Sequence, residues 1–214
     1  MAQRFENLTS GQFTEALGSK ESIPGGGSAA AMAGAVAVSL GNMVGNLTAG
    51  KPKYAAVEAE VQEALAQGEA LRQRMLDLME EDAEAFLPMK AVFKMPKGTD
   101  EEKAARQAAM NVAMKNAVKP QLELMDACLD TLRLMAFYVE KGSRLMVSDA
   151  AVGTALARGV IEAAYINVLV NTSAIDDLAY TGDTEKRAED MLYAGKRIAD
   201  LVIARSVELM RTQW

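Results

Sequence analysis

Proline occurs at only five positions, 24, 52, 88, 96 and 120, so residues 121–214 contain none. Between these positions, apolar residues recur every three or four residues, which is the period of an amphipathic helix. Aromatic residues make up 5% of the chain while methionine contributes 14 residues, a balance that favours helices over sheets. No segment alternates apolar and polar residues as a half-buried strand would. The sequence therefore predicts an all-α protein.

The helical patterns predict a single-domain bundle of six or seven long helices over residues 1–214, because no interior linker is long enough to divide the chain. Half of the residues are hydrophobic, which is enough to form a sizeable core. The predicted helices cover residues 8–19, 28–49, 54–86, 100–120, 121–140, 149–177 and 181–214.

Helix starts are also indicated by capping residues, whose side-chain oxygens accept hydrogen bonds from free backbone N–H groups. Thr99 follows the helix breakers Pro96 and Gly98 and precedes Glu102 by three residues, which is the pattern of a capping box. The other candidate caps are Thr9 or Ser10 for the first helix and Ser148 or Asp149 for the sixth.

Charge and composition exclude several classes of function. The formal net charge is −6, so a general nucleic-acid binder is not expected. Cys128 is the only cysteine, which excludes an internal disulfide and suits a reducing compartment. Histidine is absent, so acid–base chemistry must use Asp, Glu, Lys, Tyr, Cys or bound water, and no metal-ligand spacing is present. The N-terminus lacks the apolar core of a signal peptide, so a cytoplasmic protein is expected.

Residues 21–46, ESIPGGGSAAAMAGAVAVSLGNMVGN, combine three glycines after a proline with a run of small residues. A Walker A phosphate loop is not predicted, because Gly27 precedes serine and alanines instead of Lys and Ser or Thr. A Rossmann fingerprint would need a preceding strand and another glycine spacing. The length suits a membrane span, but Asn42 and Asn46 would be costly in hydrocarbon. The pattern best fits a helix buried within a folded bundle.

Spacing separates a small-residue face of this helix from a polar line. The small face lets another helix approach closely. The polar line is either hydrogen bonding between buried side chains or one wall of a polar ligand cleft. The glycines at 25–27 are either a flexible turn or a place where backbone N–H groups meet an anion or a flat ligand. The small face comprises Ala30, Gly34, Val38, Gly41 and Gly45, and the polar line comprises Ser28, Ser39, Asn42 and Asn46.

Three further polar groups are candidates for chemistry, each with a plainer alternative. The acidic run at 80–86 is either a solvated helix face or a group of carboxylates that pairs with a cation. Ser148 and Asp149 stand at a helix start, where simple capping also explains them. Asn167 and Asn171, one turn apart in an apolar segment, are either core hydrogen-bonding residues or ligand amides. Lysines that can pair with carboxylates or bind an acidic ligand tail are Lys51, Lys53, Lys94 and Lys97.

Taken together, these segments resemble the cyclodeaminase/cyclohydrolase family of tetrahydrofolate enzymes. The family includes formiminotetrahydrofolate cyclodeaminase and a related type of methenyltetrahydrofolate cyclohydrolase. The matching segments occur in the family's order and spacing, and the ordered set is more specific than any one segment. They are PGGGSAAAMAGAVAVSLGNMVGNLTAGKPKY, DAEAF, MPKGTDEEKAARQAAM, AVKP and SDAAVGTALARGVIEAAYINVLVN.

The resemblance implies an all-helical subunit that is oligomeric, with a homodimer expected, and that binds a tetrahydrofolate derivative in a cleft between subunits or helices. It implies no cofactor beyond the tetrahydrofolate substrate, no metal, no nucleic acid and no membrane. The sequence departs from the family at two places. Ser143 stands where Asn is often found, and Lys119-Pro120-Gln121 stands where Val-Pro-Leu is frequent. Positions that match the family's characteristic residues are Pro24, Gly25, Gly26, Gly27, Ser28, Lys51, Asp82, Phe86, Lys97, Ser148, Asp149, Asn167 and Asn171.

We expect a cyclodeaminase, on the prevalence of that activity in the family, with a cyclohydrolase as the alternative and a non-catalytic helical assembly protein as a more distant one. Asp149 or Asp82 is the expected acid–base group, with Lys97 as a third candidate. Lys51 and Lys53 are expected to hold the glutamate tail of the folate. The PGGGS backbone is expected to contact its pterin or another flat polar part, and Asn46 to line the same wall.

Overall fold

The structure, a computed structural model, describes residues 4–212. Within that range the regular structure consists of α-helices and short 3₁₀ turns, without a strand, so the predicted all-α class is confirmed. The helices are α1 (Ser10–Leu17), α2 (Gly26–Asn46), α3 (Glu58–Phe93), α4 (Asp100–Lys141), α5 (Val147–Thr172) and α6 (Leu178–Arg211), with 3₁₀ turns at Phe5–Asn7, Pro52–Val57 and Arg144–Met146.

Two of the predicted helix caps are present and one is wrong. Thr9 caps α1 through a capping box with Gln12, and Thr99 caps α4 through a capping box with Glu102. No side chain caps α5, because this helix already begins at Val147. The 3₁₀ turn Arg144–Met146 runs directly into α5, so the backbone is turning before Ser148 is reached.

The prediction that a helix ends near Pro120 is wrong, since α4 continues through this residue as one helix of 42 residues. A proline inside a helix removes one hydrogen bond and costs about 3 kcal/mol. Pro120 is buried, and the residue whose carbonyl loses its donor, Asn116, is exposed to water. Packing along both halves of the helix therefore outweighs a local cost that solvent partly relieves. Pro88 inside α3 differs in being exposed itself, and Glu84 four residues earlier is exposed as well, so solvent also relieves the lost hydrogen bond there.

Helix α2 lies at the centre of the bundle, where it contacts α3, α4 and α5. Its small residues allow these close approaches, as the spacing predicts. A β-carbon added to Gly34 would lie 2.8 Å from Sδ of Met75, and one added to Gly41 would lie 2.9 Å from Cε of Met135. The small-residue face is therefore a packing surface.

One hydrophobic cluster includes buried residues from all six helices. Its largest fully buried members include Tyr138, Met75 and Leu78. A shared core is the feature expected of one bundle, since each helix buries its apolar stripe against the others. The assignment of residues 1–214 to a single domain stays a prediction.

Two segments, Gly26–Asn46 and Arg144–Thr172, are long and apolar enough to cross a membrane by length and composition. They differ in burial: of an 18-residue apolar stretch within each segment, 61% is buried inside the protein in the first but only 39% in the second. Helix α2 is thus a core helix, whereas α5 carries apolar side chains on an exposed face. The large exposed residues of this face are Val152, Leu156, Ile166 and Val170.

Candidate active site

A cavity of about 210 Å³ lies between the start of α2 and the facing parts of α3, α4 and α5, and we call it the carboxylate cavity. It brings together residues that are far apart in the sequence, from the loop before α2 to the second half of α5. Seven of its lining residues are predicted site residues: Gly25, Gly26, Gly27, Asp82, Phe86, Asn167 and Asn171. Four others are Ser22, Ala117, Gln121 and Val170.

Asp82 on α3 is held by three hydrogen-bond donors. Its Oδ2 accepts from the backbone N–H of Ser28 at 2.8 Å and lies 2.9 Å from the Ser28 hydroxyl. Its Oδ1 accepts from Nε2 of Gln121 at 2.7 Å. The Ser28 N–H belongs to the first turn of α2, where backbone N–H groups are free and the helix dipole favours a negative charge. The glycine-rich start of α2 therefore holds a carboxylate of the protein itself.

The Ser28 hydroxyl has one proton and two acceptors within reach, because its Oγ also lies 2.9 Å from the carbonyl oxygen of Met79. When Asp82 is ionised, the hydroxyl can donate to the carboxylate. When Asp82 is protonated, the carboxyl can donate to Oγ and leave the hydroxyl proton to Met79. Both charge states of Asp82 therefore find hydrogen-bond partners.

Burial raises the pKa of Asp82, because a desolvated carboxylate is less stable than the neutral acid. The hydrogen bonds from Ser28 and Gln121 act in the opposite direction and offset part of this effect. A carboxyl with a raised pKa, in a cavity, is suited to accept and return protons.

Asn167 and Asn171 lie on the α5 side of the cavity. Nδ2 of Asn167 donates to Oε1 of Gln121 at 3.3 Å, and Nδ2 of Asn171 donates to the carbonyl oxygen of Ala117 at 3.1 Å. Both are half-buried, so each combines a contact between helices with a place in the cavity wall. The two alternatives for these residues are therefore not mutually exclusive.

The predicted polar line of α2 does not form one wall. Ser28 is buried on Asp82, whereas Ser39 is exposed and donates to the carbonyl oxygen of Ala35 in its own helix. Oδ1 of Asn42 is buried and, within residues 4–212, has no hydrogen-bond partner. Asn46 is exposed at the last turn of α2 and does not line the carboxylate cavity. The 21-residue helix separates its ends by about 30 Å, which is why Ser28 and Asn46 cannot share a site within one subunit.

A second cavity, of about 570 Å³, lies beyond the other end of α2, and we call it the basic cavity. Lys51, Lys53 and Arg144 line it without a carboxylate among the lining residues. Nη1 of Arg144 is buried and has no hydrogen-bond partner in the part of the chain that the structure describes. These cations make it a site for anions. The full lining is Lys51, Lys53, Tyr54, Ser143, Arg144, Leu145, Leu209 and Thr212.

Tyr54 shows the positive character of this cavity. Its hydroxyl accepts a hydrogen bond from the backbone N–H of Arg144 at 3.2 Å. Burial acts to raise the pKa of Tyr54, but hydrogen bonds from Arg144 and Ser143, with nearby Lys53 and Lys51, outweigh it and lower the pKa.

The remaining predicted residues lie outside the carboxylate cavity. Ser148 and Asp149 are in the first turn of α5, and Asp149 precedes Asn167 by 18 residues, about 27 Å along the helix. Lys97 is exposed in the turn between α3 and α4, and Pro24 is buried just before the glycines. Within one subunit, the structure thus brings Asp82 to the glycines and asparagines but separates it from Asp149.

Sequence reasoning missed the roles of Gln121, Tyr54 and Arg144. A single arginine in a loop, as at Arg144, carries no signal of a site. Gln121 stood in a segment singled out only as a departure from the family pattern, and nothing in its spacing indicated a partner 39 residues away. Tyr54 belongs to the quoted KPKY segment, but a tyrosine beside two lysines is too common to signal a site.

Among residues 4–212 no group of three or more acidic, histidine or cysteine side chains could hold a metal ion, and the expected absence of a metal stays a prediction.

An all-α bundle that holds a carboxylate at a glycine-rich helix start, in a cavity with amide groups, is an arrangement suited to proton transfer by a carboxyl group. The family profile described as Formiminotransferase-cyclodeaminase matches residues 9–190. The chain belongs to this formiminotransferase-cyclodeaminase family, which confirms the family resemblance.

Relatives in the family include two kinds of folate protein. The chain is 38% identical to a methenyltetrahydrofolate cyclohydrolase from Methylorubrum extorquens, over 87% of this chain and 89% of that protein. It is 30% identical to a formimidoyltransferase-cyclodeaminase from Sus scrofa, over 90% of this chain but only 36% of that protein. The chain therefore spans about a third of the length of this longer relative.

A solved structure shares the fold. The formiminotetrahydrofolate cyclodeaminase from Thermotoga maritima is 25% identical and superposes with a TM-score of 0.78, over 96% of this chain and 97% of that one. Its length matches the present chain, in contrast to the longer animal relative.

Proposed function

We propose that the protein is a methenyltetrahydrofolate cyclohydrolase, which converts 5,10-methenyltetrahydrofolate and water into 10-formyltetrahydrofolate. The observation that carries this proposal is the half-buried, hydrogen-bonded carboxyl of Asp82 in a cavity with amide groups. The choice of water as the reacting partner is supported by 38% identity to a cyclohydrolase over nearly the whole length of both chains.

In this reaction the methenyl bridge is an amidinium cation. Asp82 accepts a proton from water as the water oxygen bonds to the bridging carbon, which gives a neutral tetrahedral carbon beside N5 and N10. Asp82 then returns this proton to N5 as the bond from carbon to N5 breaks. The hydroxyl on carbon loses its proton to solvent as the formyl C=O forms, so the reaction releases one proton. The negative charge of Asp82 also stabilises the cationic substrate.

Formiminotetrahydrofolate cyclodeaminase is the second candidate, and it was the first expectation from the sequence. It is supported by the T. maritima structure, which covers almost the entire chain. In that reaction N10 attacks the carbon of the protonated formimino group, N5–CH=NH₂⁺, and the nitrogen leaves as ammonia, which gives the methenyl cation. Asp82 would take the proton from N10 and give it to the departing nitrogen, so one carboxyl serves either reaction.

We further propose that the active protein is a homodimer formed through the exposed apolar face of α5 and the adjoining face of α2. Val152, Leu156, Ile166 and Val170 follow one another at helical spacing on α5. Beside them an apolar groove on α2 and α3, about 430 Å³ in volume, includes Val36. The two helices pack on each other, so their exposed apolar residues combine in one surface of the kind that marks an interface.

A two-fold axis across this face would join the two cavities. If the axis is perpendicular to α2 and α5, these helices run antiparallel to their counterparts in the second subunit, so the carboxylate cavity of one subunit approaches the basic cavity of the other. The carboxylate cavity, at about 210 Å³, is below the range of about 300–1,000 Å³ for ligand sites and can hold only part of a folate. We therefore propose that Lys51 and Lys53 of the partner subunit bind the glutamate tail, and that Ser148 and Asp149 of the partner subunit face the same folate.

This arrangement explains why the predicted site residues lie at both ends of α2. We propose that it needs no cofactor beyond the substrate and binds neither nucleic acid nor a membrane, with the apolar face of α5 covered by the second subunit. We propose the cytoplasm as its location, in line with a single cysteine that is fully buried.

The decisive experiment is to assay the purified protein with 5,10-methenyltetrahydrofolate and with 5-formiminotetrahydrofolate, following methenyl absorbance. We expect absorbance to fall with the first substrate faster than in buffer, and Asp82→Asn to remove this acceleration. A rise with the formimino substrate alone would establish the second candidate instead. No turnover of either, with no tetrahydrofolate binding by calorimetry, would favour a non-catalytic helical assembly protein.

A further inference from the structure

We propose that Gln121 is a positioning residue that orients the carboxyl of Asp82 and couples its charge state to the orientation of the Asn167 side-chain amide. This inference deepens the proposed function, because it rests on Asp82 being the group that transfers protons. Gln121 itself does not react in this proposal.

Gln121 is only 2% exposed, although it carries a polar amide. Both ends of this amide are engaged: Nε2 donates to Oδ1 of Asp82 at 2.7 Å, and Oε1 accepts from Nδ2 of Asn167 at 3.3 Å. Burying an amide is costly unless its hydrogen bonds are made. Gln121 thus forms the middle of a chain that runs from α3 through α4 to α5.

The two oxygens of Asp82 are not equivalent. Oδ2 receives both the backbone N–H and the hydroxyl of Ser28, whereas Oδ1 receives a single hydrogen bond from the described residues, that of Gln121. Because Gln121 is the one donor to Oδ1 among residues 4–212, it fixes, together with Ser28 at Oδ2, how the carboxyl plane is turned. It also leaves Oδ1 with room for one more partner, which a reacting water would supply.

The amide chain responds to the charge of Asp82. An ionised carboxylate requires the NH₂ end of Gln121, so Oε1 faces Asn167 and accepts from its Nδ2. A protonated Oδ1 instead donates to Oε1, so Gln121 must turn over, and Asn167 must then present its oxygen to the Gln121 NH₂. The group that Asn167 presents to a ligand therefore changes from Oδ1 to Nδ2 when Asp82 takes up a proton on Oδ1, whereas a proton on Oδ2 is shared with Ser28 and leaves Gln121 in place.

Among the described residues, no other charged group takes part in the hydrogen bonds that link Asp82, Gln121 and Asn167. On α3, Glu81 pairs with Arg74, and on α4, Glu123 pairs with the same Arg74. Lys119 on α4 donates to Asn116. The contacts from α2 and α5 are the uncharged Ser28 and Asn167. The protonation of Asp82 is set by burial and by its own hydrogen bonds, one of which Gln121 supplies.

The test compares Gln121→Met, which keeps the length of the side chain without its hydrogen bonds, with Gln107→Met. Gln107 is on the same helix and donates to Asn111 and to the carbonyl oxygen of Ala174, away from the cavity. The carboxyl of Asp82 is followed by ¹³C NMR in aspartate-labelled protein, with its signal assigned by the loss of one peak in Asp82→Asn. This readout does not depend on turnover, so it remains valid if the proposed reaction fails.

We expect Gln121→Met to raise the pKa of Asp82 by about one to two pH units, because an ionised group loses a hydrogen bond. The rising limb of kcat/KM against pH should move upward equally, with a rate loss of about tenfold per unit at low pH and recovery at high pH. Gln107→Met should change neither. An unchanged pKa in folded Gln121→Met would overturn the proposal, because a merely structural role lowers stability without moving the titration.

A second variant serves if Gln121→Met does not fold. Gln121→Glu preserves the shape and places a second carboxyl beside Oδ1. Two such carboxyls cannot both ionise easily, so one apparent pKa of the pair should rise further than in Gln121→Met. If Asp82 and the new carboxyl titrate independently at ordinary values, Gln121 does not hold Asp82 and the proposal is wrong.

Discussion

A β-carbon placed on Gly27 would lie 2.1 Å from Oδ1 of Asp82 and 2.3 Å from Nε2 of Gln121. No real β-carbon approaches another atom so closely, so the hydrogen bond between Asp82 and Gln121 occupies the space that any side chain at position 27 would need. Glycine is therefore required at position 27 so that Asp82 and Gln121 can lie close to the backbone of α2. A flexible turn does not explain this glycine, since Gly27 lies inside the first turn of the helix.

The first prediction concerns Gly27→Ala. The methyl group should push the Asp82 carboxyl out of its hydrogen bonds, so we expect kcat/KM to fall at least about 100-fold, the scale of losing a general base. Turnover of methenyltetrahydrofolate measures this. Gly182→Ala is the matched control, because nothing lies within 4 Å of its added carbon and it sits inside α6. Full activity in Gly27→Ala would show that a methyl group at position 27 does not displace the Asp82 carboxyl.

The second prediction concerns pH and the stability contributed by Asp82. Because burial raises its pKa in the folded state, the protonated carboxyl favours folding below its ordinary pKa, and this contribution is lost as pH rises through the raised pKa. The difference in unfolding free energy between the natural protein and Asp82→Asn should therefore fall from about pH 4 upward and then level off, as measured by urea unfolding. Asp190→Asn, at an exposed position on α6, provides the comparison. A difference that grows with pH would mean that its hydrogen bonds outweigh burial.

The third prediction tests the shared site by mixing subunits. If the site uses Asp82 of one subunit and Asp149 of the other, then Asp82→Asn and Asp149→Asn homodimers are both inactive. Random mixing should restore about a quarter of the natural rate, because half of the dimers are mixed and each has one intact site. Mixing Asp82→Asn with Gly27→Ala should restore nothing, since both lesions lie in the same cavity. Equal behaviour of the two mixtures would exclude a site between subunits.

The fourth prediction concerns the apolar face of α5. Ile166→Glu places a charge at a position that is 58% exposed in the single subunit but covered in the proposed dimer. We expect it to give monomers in light scattering and to lose activity. Leu201→Glu, on α6 and 63% exposed, should remain dimeric with its activity intact. Natural protein that is monomeric at micromolar concentration would refute the interface directly.

The fifth prediction uses the two helix starts that the sequence treats alike. Thr99 accepts a hydrogen bond from the N–H of Glu102 at 3.2 Å, so Thr99→Ala should cost about 0.5–2 kcal/mol of unfolding free energy. Ser148→Ala should change stability by less than about 0.5 kcal/mol, because α5 begins before it and Ser148 caps nothing. Chemical denaturation of both variants measures the difference. A comparable loss in both would show that Ser148 has a structural partner.

Local patterns predicted the helices well where the deciding interactions lie within a few residues. The capping boxes at Thr9 and Thr99 were predictable because a cap and its partner are three residues apart. The continuation of α4 through Pro120 was not predictable, because the preference of a proline is local while the packing that overrides it involves residues on other helices. The close packing of α2 was predictable from its small residues, although its partners were not.

The sequence by itself determined the helical class, the small-residue face and most of the residues that line the carboxylate cavity, because period, composition and family resemblance are properties of the order of residues. Only the tertiary structure decided that Asp82, and not Asp149, lies among the glycines and asparagines, and that Gln121 links Asp82 to Asn167. Helix α2 places its two ends about 30 Å apart, so residues with the same sequence signature fall into different cavities. Which residues share a site follows from how rigid helices cross, and that depends on contacts far apart in the chain.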